Sequence, residues 1–194
     1  SPSLLAQLGM ARAPQTGGGL GLLGNTGGKY IGFPYVTTYS LADQYAGGNN
    51  TATLVAWDPA LGTISGFDLT TGHAVAQQSG IYKVEYSMQL ANNDSAQHDA
   101  FFWFKITSNG VTTNVADSTS KFTLQARKSA GVASYIVAYS FLFVRLNAGD
   151  YIELWWQTDL AATSGGANGV WIEYETAASN YPNIPSSLGS ITFV

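Results

Sequence analysis

The stretch Leu146-Asn147-Ala148-Gly149-Asp150-Tyr151-Ile152-Glu153-Leu154 holds the end of one apolar segment, a tight turn through Gly-Asp, and the start of a segment that alternates in polarity. Upstream, 132–146 forms a long apolar run; downstream, Gly189-Ser190-Ile191-Thr192-Phe193-Val194 supplies a last β-prone segment. From Tyr35 onward the dominant hydrophobic period is two, the signature of strands with one face toward a core. Candidate strands lie at 35–41, 51–57, 63–69, 73–77, 80–91, 99–108, 111–117, 120–125, 132–146, 149–158, 169–176 and 189–194. They are separated by Gly47-Gly48-Asn49-Asn50, Asp58-Pro59, Thr71-Gly72, Asn92-Asn93-Asp94, Asn109-Gly110, Gly149-Asp150 and Gly165-Gly166. Asn109-Gly110 is the strongest hairpin signal, because both residues tolerate the left-handed backbone that a two-residue turn requires. Many short strands and no long amphipathic helix predict an all-β protein, an antiparallel jelly-roll β-sandwich.

Two kinds of strand are distinguishable. In 80–91, Tyr82, Val84, Tyr86, Met88 and Leu90 share a face opposite Lys83, Glu85, Ser87 and Gln89, so one side is buried and the other wet. In 132–146, Ile136, Ala138, Leu142, Val144 and Leu146 point one way, whereas Tyr135, Val137, Tyr139, Phe141 and Phe143 point the other. In 99–108, Phe102, Phe104 and Ile106 oppose Phe101 and Trp103. A second sheet covers only one face of such a strand. The other needs a further layer, and with no helices in prospect an identical subunit is expected to provide it. Phe101, Trp103, Tyr135, Val137, Tyr139, Phe141 and Phe143 are therefore the expected oligomer interface.

Residues 1–34 differ from 35–194 and are read as an N-terminal arm preceding the sandwich domain. Ser3 through Met10 has the pattern of one or two helical turns, and Gly17-Gly18-Gly19, Gly21, Gly24 and Gly27-Gly28 then interrupt regular structure. Leu4, Leu5, Leu8, Leu20, Leu22 and Leu23 are more apolar than a flexible tether requires and are the expected anchor of this arm on a neighbouring subunit or particle.

Composition narrows the function classes. Of 194 residues, 10% are charged against roughly a quarter in average domains, and the net charge is −4 without a basic run, which excludes a dedicated nucleic-acid binder. The absence of cysteine removes disulfide scaffolds and thiolate chemistry. No apolar run approaches the ~20 residues of a spanning helix, so membrane insertion is not expected. Ser1-Pro2-Ser3-Leu4-Leu5 lacks the basic and apolar regions of a secretory signal.

The chemical motifs are weak. Gly19-Leu20-Gly21-Leu22-Leu23-Gly24 matches the dinucleotide pattern but leads into Asn25-Thr26-Gly27-Gly28, where no helix can start, and Gly28-Lys29 is followed by Tyr30, not Ser or Thr. His98 and Asp99 are neighbours and would point to opposite faces of a strand, and His98 is read as a surface loop residue. Asn92-Asn93-Asp94 with Asp99 has the oxygen chemistry of a calcium loop but reads as a solvated turn. Glu173 and Glu175 share a strand face ~7 Å apart, a spacing that paired glycosidase carboxylates also show but that wet strand faces show routinely. Asn49-Asn50-Thr51 and Asn93-Asp94-Ser95 match the glycosylation sequon, a pattern frequent by chance here. No cofactor, no metal and no enzymatic activity are expected. Trp155, Trp171, Asp94 and His98 are the candidates for a ligand or receptor surface.

Several segments carry a family resemblance. Gly80-Ile81-Tyr82-Lys83-Val84-Glu85-Tyr86-Ser87-Met88, Trp103-Phe104-Lys105 with Asn109-Gly110, and Leu146 through Leu154 resemble successive strands of the TNF/C1q-like superfamily. Trp155-Trp156-Gln157 and Pro182-Asn183-Ile184-Pro185-Ser186 are similar to jelly-roll modules of bacteriophage virions, including those of cyanophages. Together they cover about 51–194; Ile106-Thr107-Ser108 lengthens the hairpin, and Phe101-Phe102 is bulkier than the family pattern. The resemblance implies a homotrimer and a non-enzymatic virion role, as a capsid decoration or knob protein held to capsid or tail by its arm. Other virion proteins would then be its partners. Two further readings are a receptor- or glycan-binding fibre head, with recognition in loops 92–99 and 159–168, and a single-jelly-roll shell protein. The last is disfavoured because Arg12 is the only basic residue before Lys29.

Overall fold

The computed structural model describes residues 33–70 and 72–194. Residues 1–32 of the expected arm, with Leu4, Leu5, Leu8, Leu20, Leu22 and Leu23, lie outside the described residues. Thirteen strands run as β1 Tyr35–Ser40, β2 Thr53–Leu54, β3 Gly62–Ser65, β4 Phe67–Thr70, β5 His73–Ala76, β6 Gly80–Asn92, β7 His98–Ser108, β8 Val111–Asn114, β9 Ser120–Leu124, β10 Ser134–Leu146, β11 Tyr151–Thr158, β12 Val170–Ile172 and β13 Ser187–Phe193. No helix occurs among the described residues.

Two antiparallel sheets face each other. The first has the order β10-β6-β13-β1-β3, with β12 continuing the edge of β6 beyond β13. The second has the order β4-β5-β11-β7-β8, with β2 added to β11 and β9 to β7. Along the chain, β5, β6 and β7 alternate between sheets, as do β9, β10, β11 and β13. This is the jelly-roll connectivity expected from the sequence.

The Leu146–Leu154 stretch marks one such crossing, for β10 belongs to the first sheet and β11 to the second. Its turn is held by the buried Asp150 carboxylate, whose Oδ2 accepts from the Asn147 backbone N–H at 2.8 Å and side-chain amide at 3.1 Å. Gly149 takes the φ of +90° that the bend needs. Asn109 and Gly110, at φ +51° and +76°, join Ser108 to its register partner Val111, the two-residue hairpin geometry anticipated for that pair.

The core fills the space between the sheets. From β6 come Tyr82, Val84, Tyr86, Met88 and Leu90; from β7 and β11 come Phe102, Phe104, Ile152, Leu154 and Trp156; from β10 come Ala138, Val144 and Leu146. Phe102 stacks on Trp156 with centroids 5.9 Å apart and meets Tyr86 at 5.4 Å, so aromatic contact ties the central strands of opposite sheets together.

Four expected strands are altered. The 51–57 segment is a strand only over Thr53–Leu54. The 63–69 segment breaks at Gly66, φ +70°, so β3 joins one sheet and β4 the other. The 111–117 segment stops at Asn114, and 169–176 is a strand only over Val170–Ile172.

Two glycines distinguish kinds of backbone constraint. A Cβ on Gly62, φ +114°, would lie 1.9 Å from the Thr37 carbonyl oxygen of the paired strand, whereas one on Gly110 would meet nothing within 4 Å. Gly62→Ala should therefore destabilise the fold by about 3 kcal/mol or more, and Gly110→Ala by only about 1 kcal/mol from left-handed strain. Equilibrium urea denaturation of both variants checks the ranking, and equal losses would contradict it.

Candidate functional site

Residues of β10 alternate between core and solvent. Tyr135, Val137, Tyr139, Phe141 and Phe143 stand on the outer face of the first sheet and are 52%, 57%, 51%, 50% and 58% exposed. Successive rings along the strand lie side by side, Tyr139 to Phe141 at 6.4 Å and Phe141 to Phe143 at 6.2 Å. Strand register extends this stripe across the sheet. Phe143 faces Lys83, then Thr192 and Tyr35; Tyr139 faces Ser87, then Leu188 and Tyr39. Tyr35, Leu188 and Ile81 are themselves exposed, which makes the face broadly apolar. Because β10 ends its sheet, its outer backbone edge has no strand partner among the described residues.

One ion pair sits within this face. Glu85 accepts from Lys83 Nζ at 2.5 Å, from Ser190 Oγ at 2.6 Å and from Tyr139 Oη at 3.0 Å. The hydrogen bond from Lys83, then that from Ser190, lowers the Glu85 carboxyl below its ordinary value. The same Lys83 ammonium lies 5.1 Å from the Phe141 ring centroid. The pair thus cancels its own charge and leaves the centre of the face neutral.

Phe101 and Trp103, expected in one oligomer interface with the β10 stripe, are on the outer face of the second sheet. They are half-buried, and register sets Trp103 opposite Trp155 and Phe101 opposite Gln157. The structure does not bring the two aromatic groups together: they occupy opposite sides of the sandwich. The indole N–H of Trp103 donates to Asn114 Oδ1 at 3.1 Å. Trp155 is capped by Lys105 Nζ, 3.6 Å from its ring centroid, and donates its N–H to Glu153 at 3.0 Å.

Trp171 is only 2% exposed and packs in a satellite cluster with Ala91, Ala133 and Ala162, which corrects its reading as a ligand platform. His98 is likewise no loop residue, as it begins β7 with a side chain 13% exposed. Its Nε2 lies 3.2 Å from Asp94 Oδ1 and its Nδ1 3.1 Å from Asp159 Oδ1. Among the described residues no hydroxyl bonds to this ring, so the arrangement lacks a nucleophile. In the 92–94 turn Asn92 and Asn93 are buried rather than solvated, and Asp94 is half-buried. Asn92 Nδ2 donates to the Ala96 and Gln125 carbonyls, both at 2.9 Å, and Asn93 Nδ2 donates to the Gly166 carbonyl. Among the described residues, no cluster of His, Asp and Glu is arranged to hold a metal ion.

Glu173 and Glu175 line one cleft of about 570 Å³ with Gln89, Tyr135 and Ile184. Burial pushes the Glu173 carboxyl up to about 7, reinforced by the negative charges of Asp43 and Glu175. Asp43, which sequence reasoning missed, is held by the Tyr174 backbone N–H at 2.7 Å and the Tyr45 hydroxyl at 2.8 Å. Glu175 accepts from the Tyr181 hydroxyl. Glu85 was missed too, since its partner Ser190 is 105 residues away.

No protein-family model matches the chain, and no curated protein matches it. Solved structures that it resembles include murine APRIL at pH 5.0, with 15% identity and a TM-score of 0.48, covering 84% of this chain and 100% of that one. Murine APRIL at pH 8.5 aligns over the same shares, with 15% identity and a TM-score of 0.46. The jelly-roll assignment rests on the strand order itself.

The raised Glu173 carboxyl makes stability depend on pH. Its ordinary value is 4.5, so the folded state favours the protonated form and loses stability as pH rises from 4.5 to about 7, above which the loss is constant. Glu173→Gln should stabilise the protein at about pH 8 by on the order of 1 kcal/mol, after allowance for solvent screening at this half-exposed group, and by nothing measurable near pH 4. Thermal melts at both pH values test this, and an equal shift at both would refute the assignment.

Proposed function

We propose that this protein acts by assembly rather than by chemistry, as a homotrimeric structural module of a phage virion packed through the outer face of its first sheet. The observation that carries the reading is the half-exposed stripe of Tyr135, Val137, Tyr139, Phe141 and Phe143 on a single strand. A soluble monomer rarely leaves large side chains contiguous in this way, and such patches mark interaction surfaces. The neutralised Lys83–Glu85 pair allows the centre of the face to be covered without stranding a lone charge. Threefold symmetry draws on the resemblance of 80–88 and 146–154 to TNF/C1q-like strands, and the virion setting on that of 155–157 and 182–186 to phage jelly-roll modules. A capsid decoration or knob, joined to capsid or tail by residues 1–34, is the form that best suits an arm followed by one sandwich.

Covering the exposed halves of five such side chains yields on the order of 5 kcal/mol per protomer, comparable with the lower estimates of what association costs. The assembly should therefore be sensitive to single changes. Light scattering of the purified chain should give a mass three times 20.5 kDa. Phe141→Asp should shift it to monomer with an unchanged far-UV spectrum, because the side chain is outside the core. A wild-type protein that stays monomeric at working concentrations overturns the proposal. Removal of residues 1–28 should leave soluble trimers that no longer join particles; normal incorporation would remove the arm's role.

A further inference from the structure

On the side of the sandwich away from the β10 stripe, strand β7 makes the floor of a second cleft, about 250 Å³ in volume and lined by Phe101, Trp103, Asn114, Thr119 and Gln157. Phe101 and Trp103 are two residues apart on one strand, so their rings emerge on the same face ~7 Å from each other. Gln157 of β11, the register partner of Phe101, rises on one flank. Asn114 at the end of β8 and Thr119 just before β9 rise on the other.

The lining has a consistent chemistry. Trp103 is oriented by its bond to Asn114 Oδ1, which leaves the Asn114 amide hydrogens directed elsewhere. The side chains of Thr119 and Gln157 engage no hydrogen bond among the described residues. Two amides and a hydroxyl supply both donors and acceptors around an aromatic floor. No ionisable group lines the cleft; of the lysines that flank it, Lys121 bonds Asp99 at 2.6 Å with its ammonium 5.7 Å from the Phe101 ring centroid, and Lys105 covers Trp155. The lining itself offers a phosphate or carboxylate no cation and an ammonium no anion. A ligand that suits this lining is neutral, has an apolar face to lie on an aromatic ring, and carries hydroxyls at its rim that both give and accept hydrogen bonds. A hexopyranose ring has those properties, and a volume below that of drug-sized pockets suits a single ring.

We propose that this cleft binds a neutral hexopyranose residue of a glycan, stacked on Trp103 and Phe101 and hydrogen-bonded by Asn114, Thr119 and Gln157. The site is built within one chain and stands whether or not the chain assembles. The test is an array of neutral and sialylated glycans probed with the full chain, followed by calorimetric titration with a soluble neutral oligosaccharide taken from the spots that bind. Retention on neutral glycans with one site per chain is expected. Trp103→Ala should weaken binding about tenfold or more, as truncation of an aromatic anchor does. Because that variant also loses packing, Gln157→Ala provides the decisive comparison, with weakened binding expected at an unaltered melting temperature. Binding to no neutral glycan, binding to sialylated glycans alone, or full affinity in Gln157→Ala each overturns the proposal.

Discussion

Strand β10 carries apolar side chains on both faces, and a two-layer sandwich can cover only one of them. Inward, Ala138, Val144 and Leu146 are buried against the second sheet, with Ile136 and Leu142 packed on the same core. Outward, five large side chains remain at least half exposed. The inner face cannot be weakened without loss of the core, and the outer face gains nothing from the fold of one chain. The outer aromatics are thus a standing cost in water, and side chains of this kind are kept where something else covers them.

The jelly-roll path explains why this conflict falls on β10 and not on β6. Strand β6 is central: β10 pairs with one edge throughout, and β13 and β12 share the other. Its outer residues, Lys83, Glu85, Ser87 and Gln89, are polar and half-buried among neighbours. Strand β10 is the last in its sheet and is as long as β6, so it presents an apolar face and an open edge at once. A long exposed edge of this composition invites uncontrolled pairing unless an ordered partner covers it. The Glu85 knot supplies a geometric key at the middle of the face, since its hydrogen bonds fix Tyr139 and Ser190 in one arrangement.

Much of this was legible in the residues. Period-two alternation located the strands, and the two-faced character of 132–146 was correctly read as one inner and one outer set. Asn109-Gly110 is legible as a turn because the demand for positive φ is local. What escaped was set by distance in the chain. Gly66 splits a strand because Pro34 and the two sheets lie where they do, with a Cβ there only 2.8 Å from the Pro34 side chain. Trp171 reads as accessible because strand spacing puts it on one face with Glu173 and Glu175, yet Ala91, Ala133 and Ala162 from three separate segments close over it. His98 is held by Asp159, 61 residues away, and no local pattern signals that pairing. Phe101 and Trp103 matched β10 in composition; only the sheet to which each strand belongs separates them.

That separation gives the two outer faces different surface chemistry. On the first sheet the large side chains form a continuous row with hydrophobic neighbours and a cancelled charge, a surface suited to exclusion of water over a broad area. On the second sheet the aromatic rings are individually pinned or capped, Trp103 by Asn114 and Trp155 by Lys105 and Glu153. Pinned rings between uncharged polar groups make poor continuous interfaces, because each buried amide would need its own partner. They make good small recognition sites for the same reason, since orientation is already fixed before a ligand arrives. Under the proposed assembly, the face that associates is turned inward and the face that discriminates is turned outward. The alternation of β10 and β7 between sheets is what makes both possible in one short chain.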